Sequence, residues 1–314
     1  MTLTRRELGK LMLTVPAAGL LSRDTVAAML ADKPNSKWAG VQVGLNVPYN
    51  YGARTMPVDE VIAKTLQLNV NAVELRSQPI ELFMGAPMEV LEPGRDREKQ
   101  KAAAEQLRDW RVKTKPNGAA AARKKFTDAG IIIDVVKFDG IYNFSDPELD
   151  YAFGLAKAAG ARAISCELEV EGTKRVGQFA DKHKFPVAYH GHTKTPTAMF
   201  EEAFSYAKYN WANIDIGHWV AGGLGNPVDI IRKYHDRISH VHVKDRKKHE
   251  GDTDGANVPF GQGDTPIKEV LRLIRDNKWP IQAVIEFEYP VPAGSDRMAE
   301  MTKALQYCKD ALVQ

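Results

Sequence analysis

The sequence predicts a (β/α)8 TIM barrel, and three observations carry that reading. Eight short apolar runs alternate with helical patterns between Val41 and Leu312 of a 314-residue chain. Strand, helix and strand of these lengths make parallel crossover units, and eight such units fit a barrel of this size. Several of the runs end in His, Asp or Glu, and parallel sheets collect their chemistry at the carboxyl ends of strands. No run is followed by a G-x-G-x-x-G turn, which counts against the runner-up, a doubly wound dinucleotide-binding sheet.

In chain order, Thr4 to Lys10 holds the twin arginines Arg5-Arg6, and an uncharged run follows from Leu11 to Leu21, then Val26-Ala27-Ala28. This resembles a bacterial twin-arginine export signal over residues 1–28, and it predicts a periplasmic or secreted protein. The run is too short for a permanent membrane helix. Removing it takes away four basic and two acidic groups, so the net charge falls from +3 to +1. Residues 29–39 read as a linker, and the barrel domain as 40–314.

Val41–Val47 is the first strand, Pro57–Leu68 a helix, and Ala72–Leu75 the second strand, carrying Glu74 and Arg76. From Gln78 to about Gly118 the pattern is irregular and charged, and reads as a loop insertion with a surface helix over KAAAEQLRDWRVK. It is expected to cover the barrel mouth or a subunit interface, which leaves room for a homo-oligomer. Ile131–Val136 is a β-branched third strand. Asp146–Ala159 is a helix capped by Ser145 and closed by Gly160. Ala163–Glu169 is the fourth strand and Phe185–His190 the fifth, ending in HGH. The helix Pro196–Lys208 leads to a sixth strand at Asn213–Ile216, a helical pattern through Val228, Ile230, Ile231 and Tyr234, and a seventh strand at Ile238–Val243. A polar, glycine-rich loop runs from Lys247 to Asp264. Ile267–Arg275 is helical, Ile281–Phe287 is the eighth strand, and Ser295–Leu312 closes as a helix.

The composition is 44% hydrophobic and 26% charged, ordinary for a globular chain that can bury a large core. The small net charge argues against nucleic-acid or membrane partners, and two cysteines, Cys166 and Cys308, make neither a disulfide framework nor a thiolate metal site.

At the mouth of such a barrel Glu167, His190, His192, Asp215, His218, His242 and Glu286 converge. Carboxylates mixed with imidazoles suit one divalent ion, Mn²⁺, Mg²⁺, Co²⁺ or Zn²⁺. Such an ion grips adjacent sugar oxygens and stabilises an enediolate while a carboxylate moves a proton. Lys244 and Arg246 are read as substrate contacts or as a loop salt bridge with Asp245. For Glu74, Glu169 and His240 a plain hydrogen-bonded or solvated role is expected, although Glu169 shares a strand face with Glu167.

DIGHWVAGG, HVHVKD and VIEFEY, in that order and spacing, resemble the xylose isomerase-like TIM barrels, from about Gly40 onward. The resemblance implies a sugar isomerase or epimerase with a metal held by Glu, Asp, His and Glu from successive strands. Asp215, His242 and Glu286 take the last three places, and His218 a substrate-contacting one. The family's first Glu often lies on the fifth strand, where this chain has YHGH. Glu167 is the substitute expected here, with His190 as the alternative. Glu286 and Glu167 are then the acid/base pair, and His190 and His192 orient hydroxyls or assist proton transfer.

The leading expectation is a metal-dependent isomerase or epimerase on a ketose or keto-sugar. The alternative is a lyase or hydratase on 3-keto sugars or inositol derivatives using the same metal site. A DNA phosphodiesterase of the endonuclease IV type ranks well behind, since that chemistry draws on extra histidines early in the barrel and Glu74, Arg76 and Lys137 stand there instead. A non-catalytic sugar-binding barrel leaves the Glu, Asp, His and Glu set without a purpose.

Overall fold

The computed structural model describes residues 33–314. The export signal expected over residues 1–28 lies outside them. Eight strands form a closed parallel barrel: β1 (Val41–Val47), β2 (Ala72–Arg76), β3 (Ile132–Lys137), β4 (Ala163–Glu167), β5 (Val187–His190), β6 (Asn210–Asp215), β7 (Ile238–Val243) and β8 (Gln282–Ile285). Each pairs in parallel with its neighbour in sequence, and β8 returns to β1 with Val284 opposite Gly44. This matches the barrel read from the sequence.

Parity along the strands divides the core in two. Val41, Val43, Leu45 and Val47 on β1 face outward into one continuous apolar cluster shared with the surrounding helices. The helix Ile267–Asn277 shows why such helices form: Ile267, Val270, Leu271 and Ile274 make one buried stripe, with charged residues at Lys268, Glu269 and Arg272 between them. The alternate residues face the barrel interior, and many are polar. Asn46, Glu74, Asn213, His240 and Gln282 are all buried there.

Several expectations change in detail. The described end of the 29–39 linker is built into the barrel: Lys37–Trp38 pairs antiparallel with Val41–Gln42, and the Ser36 hydroxyl donates to Val43 O at 2.6 Å. The sixth strand runs Asn210–Asp215 rather than 213–216, because Asp215 caps a short helix, Ile216–Ala221, by accepting the His218 N–H at 2.7 Å. The fourth and eighth strands stop earlier than read, at Glu167 and Ile285. A helix at Val170–His183 connects β4 to β5 where the sequence reading placed none.

The irregular 78–118 region is pinned down from within. Its helix, Arg97–Lys113, buries Arg111, whose Nε donates to Glu81 Oε1 at 2.7 Å and whose Nη2 donates to Oε2 at 3.1 Å. Burial disfavours the Arg111 charge, but Glu81 outweighs it and holds the guanidinium protonated. Arg111→Met strands a fully buried Glu81, so it is expected to cost about 3–5 kcal/mol in urea unfolding. A loss under roughly 1 kcal/mol, the range of exposed pairs, would show the pair to be dispensable.

Candidate active site

Register brings the chemistry to one level at the carboxyl ends of the strands. Glu167 is opposite His190 across β4 and β5, His190 is opposite Asn213, and Asp215 is opposite His242 across β6 and β7. Glu286 follows β8 directly, its N–H still bonded to Val243 O at 3.1 Å. Ligand atoms of His190, Asp215, His242 and Glu286 all lie within 4.8 Å of one another, and all four residues are buried.

These residues fit a cation. Asp215 Oδ2 and His242 Nδ1 are buried without a hydrogen-bond partner; the Lys244 ammonium stands 3.0 Å from the first and Glu286 Oε2 3.4 Å from the second, so a cation taking this place would replace positive charge already held there. Asp215 uses its other oxygen, Oδ1, to cap the following helix. His242 turns its other nitrogen, Nε2, to Glu74 Oε2 at 2.6 Å. A carboxylate behind a histidine fixes the ring orientation and raises its basicity as a ligand. Glu286 accepts the Asn46 amide on Oε1 at 2.9 Å and the Lys244 ammonium on Oε2 at 2.8 Å.

Glu167 lies apart from this group. Its Oε1 accepts from Lys137 Nζ at 2.8 Å and its Oε2 meets His192 Nε2 at 2.6 Å. Among the described residues, then, it is His190 rather than Glu167 that stands beside Asp215, His242 and Glu286, as the alternative reading of YHGH has it. His192 is 57% exposed and His190 is buried beside it, ring centroids 4.9 Å apart. His218 meets Lys244 Nζ through Nε2 at 2.9 Å and Arg246 Nη1 through Nδ1 at 2.6 Å. The Arg246 guanidinium also donates to Gly255 O, at 2.9 Å from Nε and 2.6 Å from Nη2. It therefore fastens the 247–264 loop and holds His218. Asp245 holds the same loop by accepting N–H groups of Gly261 and Gly263 at 2.8 and 2.9 Å.

The electrostatics follow from these contacts. Burial alone raises a carboxylate, but Lys244 and His242 overcome it at Glu286 and hold that group well below the usual range. Burial keeps Asp215 above its ordinary value despite Lys244. Burial lowers His242, yet Glu74 and Glu286 prevail and bring it up to about 10. Burial with little compensation pushes His190 well down, and burial with Lys244 takes His218 to about 3, so both imidazoles are neutral. Burial also opposes ionisation of Glu167, but His192, His190 and Lys137 hold it well below the usual range, and the bond to Glu167 raises His192.

Three residues were missed or underweighted from sequence. Glu74 is fully buried behind His242, Lys137 is buried against Glu167, and Glu288 joins Lys244 at 2.6 Å and the Tyr49 hydroxyl at 2.9 Å. A lone acid or lysine inside an apolar strand run was the available signal, because such groups are seldom buried without a partner. A cavity of about 720 Å³ opens beside Glu288, lined also by Tyr49, Arg54, Arg76, Asp139 and Phe287. That is within the size range of small-molecule sites.

The family model for xylose isomerase-like TIM barrels matches residues 135–311. The chain belongs to that family. An inosose dehydratase of Clostridium botulinum is 27% identical over 191 residues, covering 55% of this chain and 58% of the relative. The chain thus aligns with little more than half the length of that relative. A D-psicose 3-epimerase from Clostridium cellulolyticum, solved with D-tagatose, has a TM-score of 0.57 at 10% identity, covering 87% of this chain and 100% of the other. A xylose isomerase-like TIM barrel protein from Mycobacterium smegmatis in complex with magnesium has a TM-score of 0.51 at 12% identity, covering 87% and 97%. Likeness at these structural identities speaks for the fold. No helix among the described residues is long and apolar enough to cross a membrane.

Proposed function

We propose that this chain is a divalent-metal-dependent enzyme that enolises a keto-sugar or keto-cyclitol and expels a neighbouring hydroxyl as water. The observation that carries the reading is the division of the site into two parts. One part is the buried set His190, Asp215, His242 and Glu286; the other is the Glu167–His192 pair, which is partly open to solvent. His190, Asp215, His242 and Glu286 would hold Mn²⁺, Mg²⁺, Co²⁺ or Zn²⁺. When bound, the ion supplies positive charge where the substrate's carbonyl oxygen becomes negative.

The chain's own groups do the rest. Glu286, ionised in this site, takes the proton from the carbon beside the carbonyl. His192, raised by its bond to Glu167, donates a proton to the departing β-hydroxyl, which leaves as water. Lys137 holds Glu167 in place, and Glu74 holds His242. The inosose dehydratase likeness agrees in reaction class.

Epimerisation is the second reading, and Glu167 favours it. Its carboxylate is itself ionised and 42% exposed, so it can exchange a proton with the substrate in place of His192. The test is proton NMR of Mn²⁺-loaded protein in deuterated water, with 2-keto-inositol in one tube and D-fructose in another. Elimination predicts a dehydrated product from the cyclitol. Epimerisation predicts deuterium at one carbon of the ketose and a new stereoisomer. Neither product nor deuterium uptake in either tube would sink both readings.

A further inference from the structure

The side chain that the metal reading leaves unexplained is Lys244. It is almost fully buried, and its ammonium stands among three carboxylates: Asp215 Oδ2 at 3.0 Å, Glu286 Oε2 at 2.8 Å and Glu288 Oε2 at 2.6 Å. Gly217 makes room for its stem, since a Cβ there would lie 2.5 Å from Lys244 Cγ. An ammonium has three hydrogens. Glu286 and Glu288 take two of them, and the third lies between His218 Nε2 at 2.9 Å and Asp215 Oδ2 at 3.0 Å.

Lys244 therefore already neutralises two oxygens that a metal would need. We propose that Lys244 is an internal counter-ion for these carboxylates, which a divalent metal must push aside toward Glu288 and His218. This rests on the metal reading above. The physical reason is direct: a dication bound by Asp215 Oδ2 and Glu286 Oε2 cannot share those oxygens with an ammonium a few ångströms away without strong repulsion in a buried site. Glu288 and His218 lie on the far side of the exchange and keep hold of the displaced ammonium. One hydrogen, released from Glu286, is then free for a substrate oxygen.

The chain thus trades metal affinity for a donor that is positioned when the metal is bound. In its absence, the same lysine keeps the buried Asp215 and Glu286 and the partly buried Glu288 from repelling one another. Removing the charge should weaken the metal-free protein and tighten the metal, a pair of opposite effects that a merely structural lysine would not produce.

The experiment uses the full chain, wild type and Lys244→Met, with Lys244→Gln as a second neutral variant that keeps a donor for Glu288. Manganese affinity is measured by chelator competition, and melting temperature is measured with EDTA and with saturating Mn²⁺. Both variants are expected to bind Mn²⁺ roughly tenfold or more tightly than wild type, because a buried like charge has gone. In EDTA both should melt below wild type, and saturating Mn²⁺ should close or reverse that gap. Equal or weaker Mn²⁺ binding by the variants, or a melting gap unchanged by Mn²⁺, overturns the proposal. If wild type and both variants bind no Mn²⁺ at all, the metal reading itself has failed, and this inference goes with it.

Discussion

Asp215→Ala is expected to abolish stable metal binding while leaving the barrel folded. Asp215 contributes a buried oxygen, Oδ2, that makes no hydrogen bond and has the Lys244 ammonium 3.0 Å away, so its loss opens the donor set on one side. Disturbing a partner one step removed from a metal commonly costs about 10–100-fold in affinity, and losing a ligand outright should exceed that. The barrel should survive, because the apolar cluster between strands and helices does not include this side chain. The lost cap at His218 N–H accounts for about 0.5–2 kcal/mol of ordinary helix-start stability. Elemental analysis after dialysis against trace Mn²⁺ and a urea unfolding curve read the two effects separately. Undiminished manganese in the folded variant would remove Asp215 from the site.

Much of this site was legible in the sequence because it lies in residues whose chemistry is conspicuous at strand ends. Asp215, His242 and Glu286 needed only the strand positions and the DIGH, HVHVKD and VIEFEY spacings. The fourth place was ambiguous for a physical reason. Glu167 and His190 are opposite each other on adjacent strands, so strand position alone leaves both level with the site. Only side-chain direction separates them: Glu167 is bonded to Lys137 and His192, while His190 clusters with Asp215, His242 and Glu286.

Glu74 and His240 show a different limit. Each looked like an ordinary polar residue within a strand, and the alternation that turns Glu74 inward is visible, but its partner, His242, is 168 positions away. The helix Val170–His183 was hidden by two glycines, which weaken a helical pattern. They are packing devices: a Cβ at Gly172 would strike the Tyr142 ring, and one at Gly177 would lie 2.7 Å from Ala207 Cβ. Close approach of a helix to its neighbours erases the signal that announces it.

Replacing Glu167 with Gln is expected to cut turnover by about 10²–10⁴-fold, the usual worth of a positioned acid or base, while metal content is unchanged. Both halves follow from geometry. Glu167 bonds Lys137 and His192 rather than joining the four clustered ligand residues, so the ion's oxygens and nitrogens stay in place. The amide removes the negative charge that raises His192, so the imidazole becomes a poorer proton carrier at neutral pH. His190→Ala is the matched control and should behave in the opposite order, losing metal first and activity as a consequence. Manganese stoichiometry and turnover on the same preparations, with 2-keto-inositol and D-fructose as substrates, separate the cases. If Glu167→Gln loses its metal and His190→Ala keeps it, Glu167 is the fourth ligand after all. If Glu167→Gln keeps both metal and turnover, the carboxylate has no part in moving the proton, and the acid must be sought in His192 alone.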